Sequence, residues 1–247
     1  MKRWLPGFIF FVLPTIFAAQ GEYENNTITS GQLSGEVCSY NALTDKLVFQ
    51  FALQVGFSND SNSHSLNITD HLVQYGGRVL LHYALSSRFK VAAGFGAWSN
   101  PEAPDAGQYN YNEIRSFVQL KHYITPRRAT ITNRFRMEQR FVQNQENTKY
   151  EYKPRLRYSP KAVYALNSNV VRAKTVHAYC MGEIFVTPGV DPILKQIRLL
   201  AGMGYNFSKD VSLEIDYGWQ WLYSNTAPDF RATIIGLTLN YNNAFTW

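Results

Sequence analysis

The segment Val211-Ser212-Leu213-Glu214-Ile215-Asp216-Tyr217-Gly218-Trp219-Gln220-Trp221 decides the fold class. Its odd positions are apolar or aromatic, and its even positions are small, polar or charged. A period of two places alternate side chains on opposite faces of an extended strand, whereas a helical turn would mix the two sets. Leu47 to Phe57 repeats the pattern: Leu47, Phe49, Phe51, Leu53, Val55 and Phe57 alternate with Val48, Gln50, Ala52, Gln54 and Gly56. Phe230 to Tyr241 repeats it again, with Thr233, Ile235, Leu237, Leu239 and Tyr241 against Ala232, Ile234, Gly236, Thr238 and Asn240.

Eleven such segments are read at roughly 33–43, 46–58, 69–85, 89–99, 111–124, 129–143, 149–165, 174–187, 194–206, 210–224 and 230–242. Thr44-Asp45, Ser86 to Arg88, Thr125 to Arg128 and Phe207 to Asp210 are short turns, while Asn59 to Ile68, Pro101 to Asn110, Gln145 to Thr148 and Asn225 to Asp229 are polar loops. Tight turns at one rim and longer loops at the other are the organisation of a bacterial outer-membrane barrel. A soluble sandwich or lipocalin-like barrel would instead turn its apolar face inward. Against that stand the aromatic residues on the apolar faces (Tyr150, Tyr152, Tyr158, Tyr217, Trp219, Trp221 and Tyr241) and the small residues on the other face (Ala92, Gly94, Gly96, Gly202, Gly204 and Gly218). A solvated outer face has little use for glycine; a crowded interior does.

The start of the chain carries Lys2 and Arg3, an apolar run from Trp4 to Ala19 broken by Pro6 and Pro14, and small residues at its end. This is the layout of a secretory signal peptide over residues 1–19, with cleavage between 18 and 20. Residues 20–247 then form a single barrel domain. Only 17% of the 247 residues are charged and 15% are aromatic, with a formal net charge of +6. Cys38 and Cys180 are too few for a disulfide scaffold or an ordinary zinc site, and export leaves a bridge between them open. Bacterial single-chain barrels have even strand numbers. Eleven segments therefore imply a further strand within 22–32, for twelve, or a first segment outside the barrel, for ten. The expectation is an all-β, transmembrane, antiparallel up-and-down barrel of 10–12 strands, with twelve preferred.

The charges fall on one face. In 129–143, Arg134, Arg136, Glu138 and Arg140 alternate with Ile131, Phe135, Met137 and Phe141. An Arg turned to lipid near mid-membrane costs about 2–4 kcal/mol, so three of them force this face into the lumen. The same alternation sends Glu113, Arg115, Phe117, Gln119 and Lys121 inward, and Glu151, Lys153, Arg155, Arg157 and Lys161 after them. Arg78, Lys90, Glu183, Arg198, Glu214 and Asp216 follow the same rule. The basic wall is thus Arg115, Lys121, Arg134, Arg136, Arg140, Lys153, Arg155, Arg157 and Arg198. Its acidic partners are Glu113, Glu138, Glu151, Glu183, Glu214 and Asp216. Acids are outnumbered, so some Arg are expected to remain unpaired and water to reach them. The charges then serve as a salt-bridge lattice, as a path for small anions, or as both.

In order along the chain come Asn112-Glu113-Ile114-Arg115, Arg134-Phe135-Arg136-Met137-Glu138-Gln139-Arg140-Phe141, Arg155-Leu156-Arg157-Tyr158 and Gly182-Glu183-Ile184-Phe185. Ile197-Arg198-Leu199, Gly202-Met203-Gly204-Tyr205 and a closing aromatic strand follow. This series resembles the bacterial family known as domain of unknown function 2490, over roughly 33–242. The first strand departs from the family pattern, lacking a Trp near its start. The resemblance implies an exported outer-membrane barrel and brings no activity with it.

No catalytic constellation is legible. None of His64, His71, His82, His122 and His177 sits in a His-x-Ser or similar cluster on the last strands, and Ser63 and Ser65 beside His64 lie in a loop, a poor place for a nucleophile. No metal-ligand spacing, phosphate loop or dinucleotide fingerprint is present. No cofactor is expected, and with the bases inside, no nucleic-acid partner. A lipid-modifying outer-membrane hydrolase is the alternative to a small channel or structural barrel. The expected partners are outer-membrane lipids, small anionic solutes and the barrel-assembly machinery, for whose C-terminal signal Gly236, Leu239 and Tyr241 are suitably spaced.

Overall fold

In the computed structural model the described residues are 27–59, 68–101, 110–126, 128–144, 146, 148–189, 193–223 and 229–243. The segment read as a signal peptide lies outside them. Every regular element among the described residues is a strand: β1 Thr27–Ala42, β2 Leu47–Ser58, β3 His71–Ala84, β4 Phe89–Asn100, β5 Tyr111–Ile124, β6 Ala129–Gln143, β7 Tyr150–Tyr152, β8 Arg155–Ala165, β9 Val176–Val186, β10 Leu194–Asn206, β11 Val211–Leu222 and β12 Asp229–Asn242.

Successive strands pair antiparallel, and β1 pairs with β12 to close the sheet on itself. Eleven strands make the closed barrel. The twelfth, β7, pairs only with β6. It continues the register of β8, since Phe141 faces Tyr152 and Glu138 faces Arg155 on the same β6. Pro154 separates the two segments, because a proline has no N–H for the ladder.

The barrel closes on an odd number of strands, against the even number expected. Residues 27–32 are not a further strand; they prolong β1, and residues 22–26 lie outside the described residues. In an up-and-down barrel with an odd count the first and last strands run the same way. The closing pair is accordingly parallel, in unbroken register from Thr27 opposite Asp229 to Tyr40 opposite Asn242. A parallel ladder satisfies edge N–H and C=O groups as an antiparallel one does, so closure does not require an even count.

The connections 43–46, 85–88, 125–128, 166–175 and 207–210 share one rim, and 59–70, 101–110, 144–149, 187–193 and 223–228 share the other. The ten-residue connection 166–175 is the exception at the short-turn rim. It is pinned by hydrogen bonds from Lys174 N to Asn206 O at 2.6 Å and from Asn206 N to Thr175 O at 3.0 Å.

The expected alternation holds. Phe95, Val118, Phe135, Met203 and Ile215 point outward and are exposed, while Ala52, Leu80, Phe117, Phe185 and Ile234 point inward and are buried. Inward glycines make room for large neighbours: a Cβ on Gly202 would sit 2.7 Å from the Tyr179 ring, and one on Gly96 would sit 2.6 Å from Trp98. Cys38 is inward and buried and Cys180 is exposed; the two are not bonded.

Candidate functional site

The lumen holds a cavity of about 1160 Å³. Its lining runs from Tyr111, Lys153 and Lys195 near the long-connection end to Tyr40, Tyr123 and Asn240 near the short-turn end. β5, β6 and β8 supply much of its positive charge, because Arg115, Lys121, Arg134, Arg136, Arg140, Arg155, Arg157 and Lys161 all take inward positions on these neighbouring strands.

Three fully buried carboxylates organise the wall. Glu113 accepts from Arg115 Nε at 2.6 Å and Nη2 at 2.8 Å, and from Arg140 on the next strand. Glu138 accepts from Arg155 Nε at 2.6 Å and Arg157 Nη1 at 2.8 Å, with Arg136 Nη1 at 3.6 Å. Glu183 accepts from Arg134 at 2.8 Å and Arg157 at 2.7 Å, with Arg198 at 3.6 Å. Arg157 links the second carboxylate to the third. Seven Arg are thereby held by three Glu, which is feasible because an ionised carboxylate offers about four acceptor sites.

The expectation of unpaired Arg is corrected by this sharing. Each Arg of the wall has an acidic or amide partner; Arg136 also donates to Gln119 at 3.0 and 2.8 Å, and Arg198 donates from Nη2 to Gln220 at 2.5 Å. Aromatic rings seat the guanidinium groups as well. Arg115 lies 4.1 Å from the Trp98 ring centre, and Phe185 has Arg157 at 4.5 Å and Arg155 at 5.1 Å. These rings were missed as members of the site. The signal was present in Phe117, an aromatic residue on a face otherwise read as charged.

The remaining positions separate. Glu214 binds Lys161 at 2.7 Å, with His177 at 3.3 Å, and Asp216 accepts from the Tyr179 hydroxyl at 2.8 Å. Glu36, not singled out from the sequence, binds Arg78 at 2.7 Å. Glu151 and Lys153 pair with each other at 2.8 Å but lie at the exposed long-connection end. Lys121 lines the cavity without an ion pair to any described residue.

His82 Nε2 meets Gln50 Oε1 at 2.8 Å inside the barrel, and His122 stacks on Phe89 with ring centres 4.6 Å apart. Ser58 and His71 are cross-strand neighbours. The Ser58 hydroxyl is fully buried, 2.7 Å from that of Ser30, and it donates to the Asn59 carbonyl at 2.8 Å, which is a structural role rather than that of a poised nucleophile. Among the described residues no group of three or more His, Cys, Asp or Glu could hold a metal ion.

The geometry defines a class: a closed β-barrel with an apolar exterior and an Arg-rich, Glu-clamped lumen. The chain belongs to the DUF2490 family, described as proteins of unknown function, whose model matches residues 38–231. The match begins inside β1. No curated protein matches the chain.

Proposed function

We propose that this chain is a bacterial outer-membrane barrel whose basic lumen favours small anions. The observation that carries the reading is the sorting of side chains across one closed sheet. Seven Arg gather on three Glu inside, while the outside is a continuous belt of exposed Leu, Ile, Val, Phe, Met and Tyr. A water-soluble monomer rarely exposes an apolar patch larger than a few hundred Å². The strands also have the length for this role: β8 and β9, at 11 residues, are the shortest of the closed barrel, and about 9–11 suffice for a tilted crossing.

The rims support the same placement. At the short-turn rim Leu43, Leu85, Leu166 and Phe207 directly follow β1, β3, β8 and β10, and Ile124 ends β5, all as exposed apolar residues. Among the described residues the connections at that rim carry six bases and two acids, and those at the other rim carry one base and two acids. Apolar side chains with bases just beyond them match a lipid surface bearing anionic head groups.

On this reading the net positive wall raises the local concentration of anions, as a basic ring does in a pore. The barrel performs no reaction. Flux through proteoliposomes tests the reading: chloride and small organic anions should enter faster than cations of similar size. Equal exclusion of both from vesicles containing folded barrel would contradict it. Reaction with a serine-directed probe, lost in a His71→Ala variant, would point to the hydrolase instead.

A further inference from the structure

Lys90, Lys121 and Arg134 occupy directly opposed inward positions on β4, β5 and β6. Like charges facing one another across a sheet destabilise it, so three in a row call for a counter-charge. The described residues bond one to this row: Glu183 reaches Arg134 at 2.8 Å, and that carboxylate is already shared with Arg157 and Arg198. Lys90 rests 5.5 Å from the Tyr123 ring centre. Lys121 has no ion pair to any described residue, and the two charged side chains directly opposite it, Lys90 and Arg134, are both positive. Thr132 and Ser159, opposite Tyr123 and Arg134 respectively, line the same part of the cavity and bring hydroxyl groups.

We propose that Lys121 and Arg134, backed by Lys90, bind a multivalent oxyanion, of the phosphate or dicarboxylate kind, inside the lumen. The inference rests on the anion-favouring reading and goes beyond it by naming a site. A multivalent oxyanion fits because several acceptor oxygens can meet an ammonium point charge and a guanidinium fork at once, with hydroxyls completing the shell. A monovalent halide has no such geometry.

The test uses full-length barrel refolded into nanodiscs, melted in inorganic phosphate, succinate or chloride at matched ionic strength. Wild type, Lys121→Met and Lys121→Arg are compared. Phosphate or succinate should raise the wild-type unfolding temperature saturably, and chloride should not. Lys121→Met should weaken the half-saturating concentration about tenfold or more, and Lys121→Arg should retain it. No saturable effect on folded wild type, or an equal response in Lys121→Met, overturns the site. Without added oxyanion, Lys121→Met should melt no lower than wild type, since it removes repulsion. A lower value would mean that Lys121 has a protein partner, and would overturn the assignment too. Conductance of the same preparations separates the two levels. Anion-selective current with no saturable oxyanion effect sinks the site and leaves the broader reading. A silent barrel that binds phosphate through Lys121 sinks the pore and leaves the site.

Discussion

Glu138 on β6 and Arg157 on β8 meet at 2.8 Å, the carboxylate fully buried and the guanidinium continuing to Glu183 at 2.7 Å. The pair is a node of a network, so its members are not equivalent. Removing Glu138 strips a counter-charge from Arg155, Arg157 and Arg136 together, and Glu138→Ala is predicted to destabilise the barrel by about 3–5 kcal/mol. Arg157→Met leaves Arg155 on Glu138 and Arg134 on Glu183, and should cost clearly less. Urea unfolding of both variants in vesicles checks the order. An equal cost would contradict the shared-carboxylate description.

The outward face is tested at Val118, which is exposed near the middle of β5. Val118→Arg should cost about 2–4 kcal/mol in a bilayer, the range for Arg at the midplane, and almost nothing in a water-soluble barrel. Equilibrium folding into vesicles measures it.

Cysteine chemistry reads both faces at once. Cys180 is exposed on the outside and Cys38 is buried inside, bonded through Sγ to Glu36 at 2.7 Å. In vesicles a charged maleimide should label neither, and after denaturation it should label both. Rapid labelling of Cys180 in the folded vesicle-bound protein would place that face in water.

Packing inside the lumen predicts that Gly202→Ala destabilises the barrel by about 1–3 kcal/mol, because the new methyl meets the Tyr179 ring and the Ile215 carbonyl. Tyr179→Phe leaves Asp216 without its 2.8 Å donor and should cost a similar amount, about 1–3 kcal/mol. Thermal melts of the two variants check this.

Much of the barrel was legible because one face of every strand had to differ from the other. Alternation alone sends Arg134, Arg136, Glu138 and Arg140 to the same side, and strand order makes β5 and β8 their neighbours. Closure was less legible. Nothing in Thr27 to Gln32 distinguishes a separate strand from the start of β1, and the parity rule describes a population of barrels rather than the hydrogen bonds of this one. The distribution of charge was not legible at all. Which carboxylate holds which Arg depends on diagonal reach across strands, as when Arg134 on β6 passes over Ser159 to Glu183 on β9. Counting acids against bases therefore singled out unpaired Arg, whereas sharing leaves Lys121, whose charged opposite neighbours, Lys90 and Arg134, are both cations.

The most direct test of the account is the reversal potential of single barrels in a planar bilayer under a salt gradient, for wild type beside Lys121→Gln/Lys153→Gln. These two positions change the charge of the cavity while leaving the three Glu clamps intact. The account predicts anion-selective current from wild type and a shift toward cations in the variant. Cation-selective current, or silence from barrel shown to be folded by heat-dependent gel mobility, would contradict it.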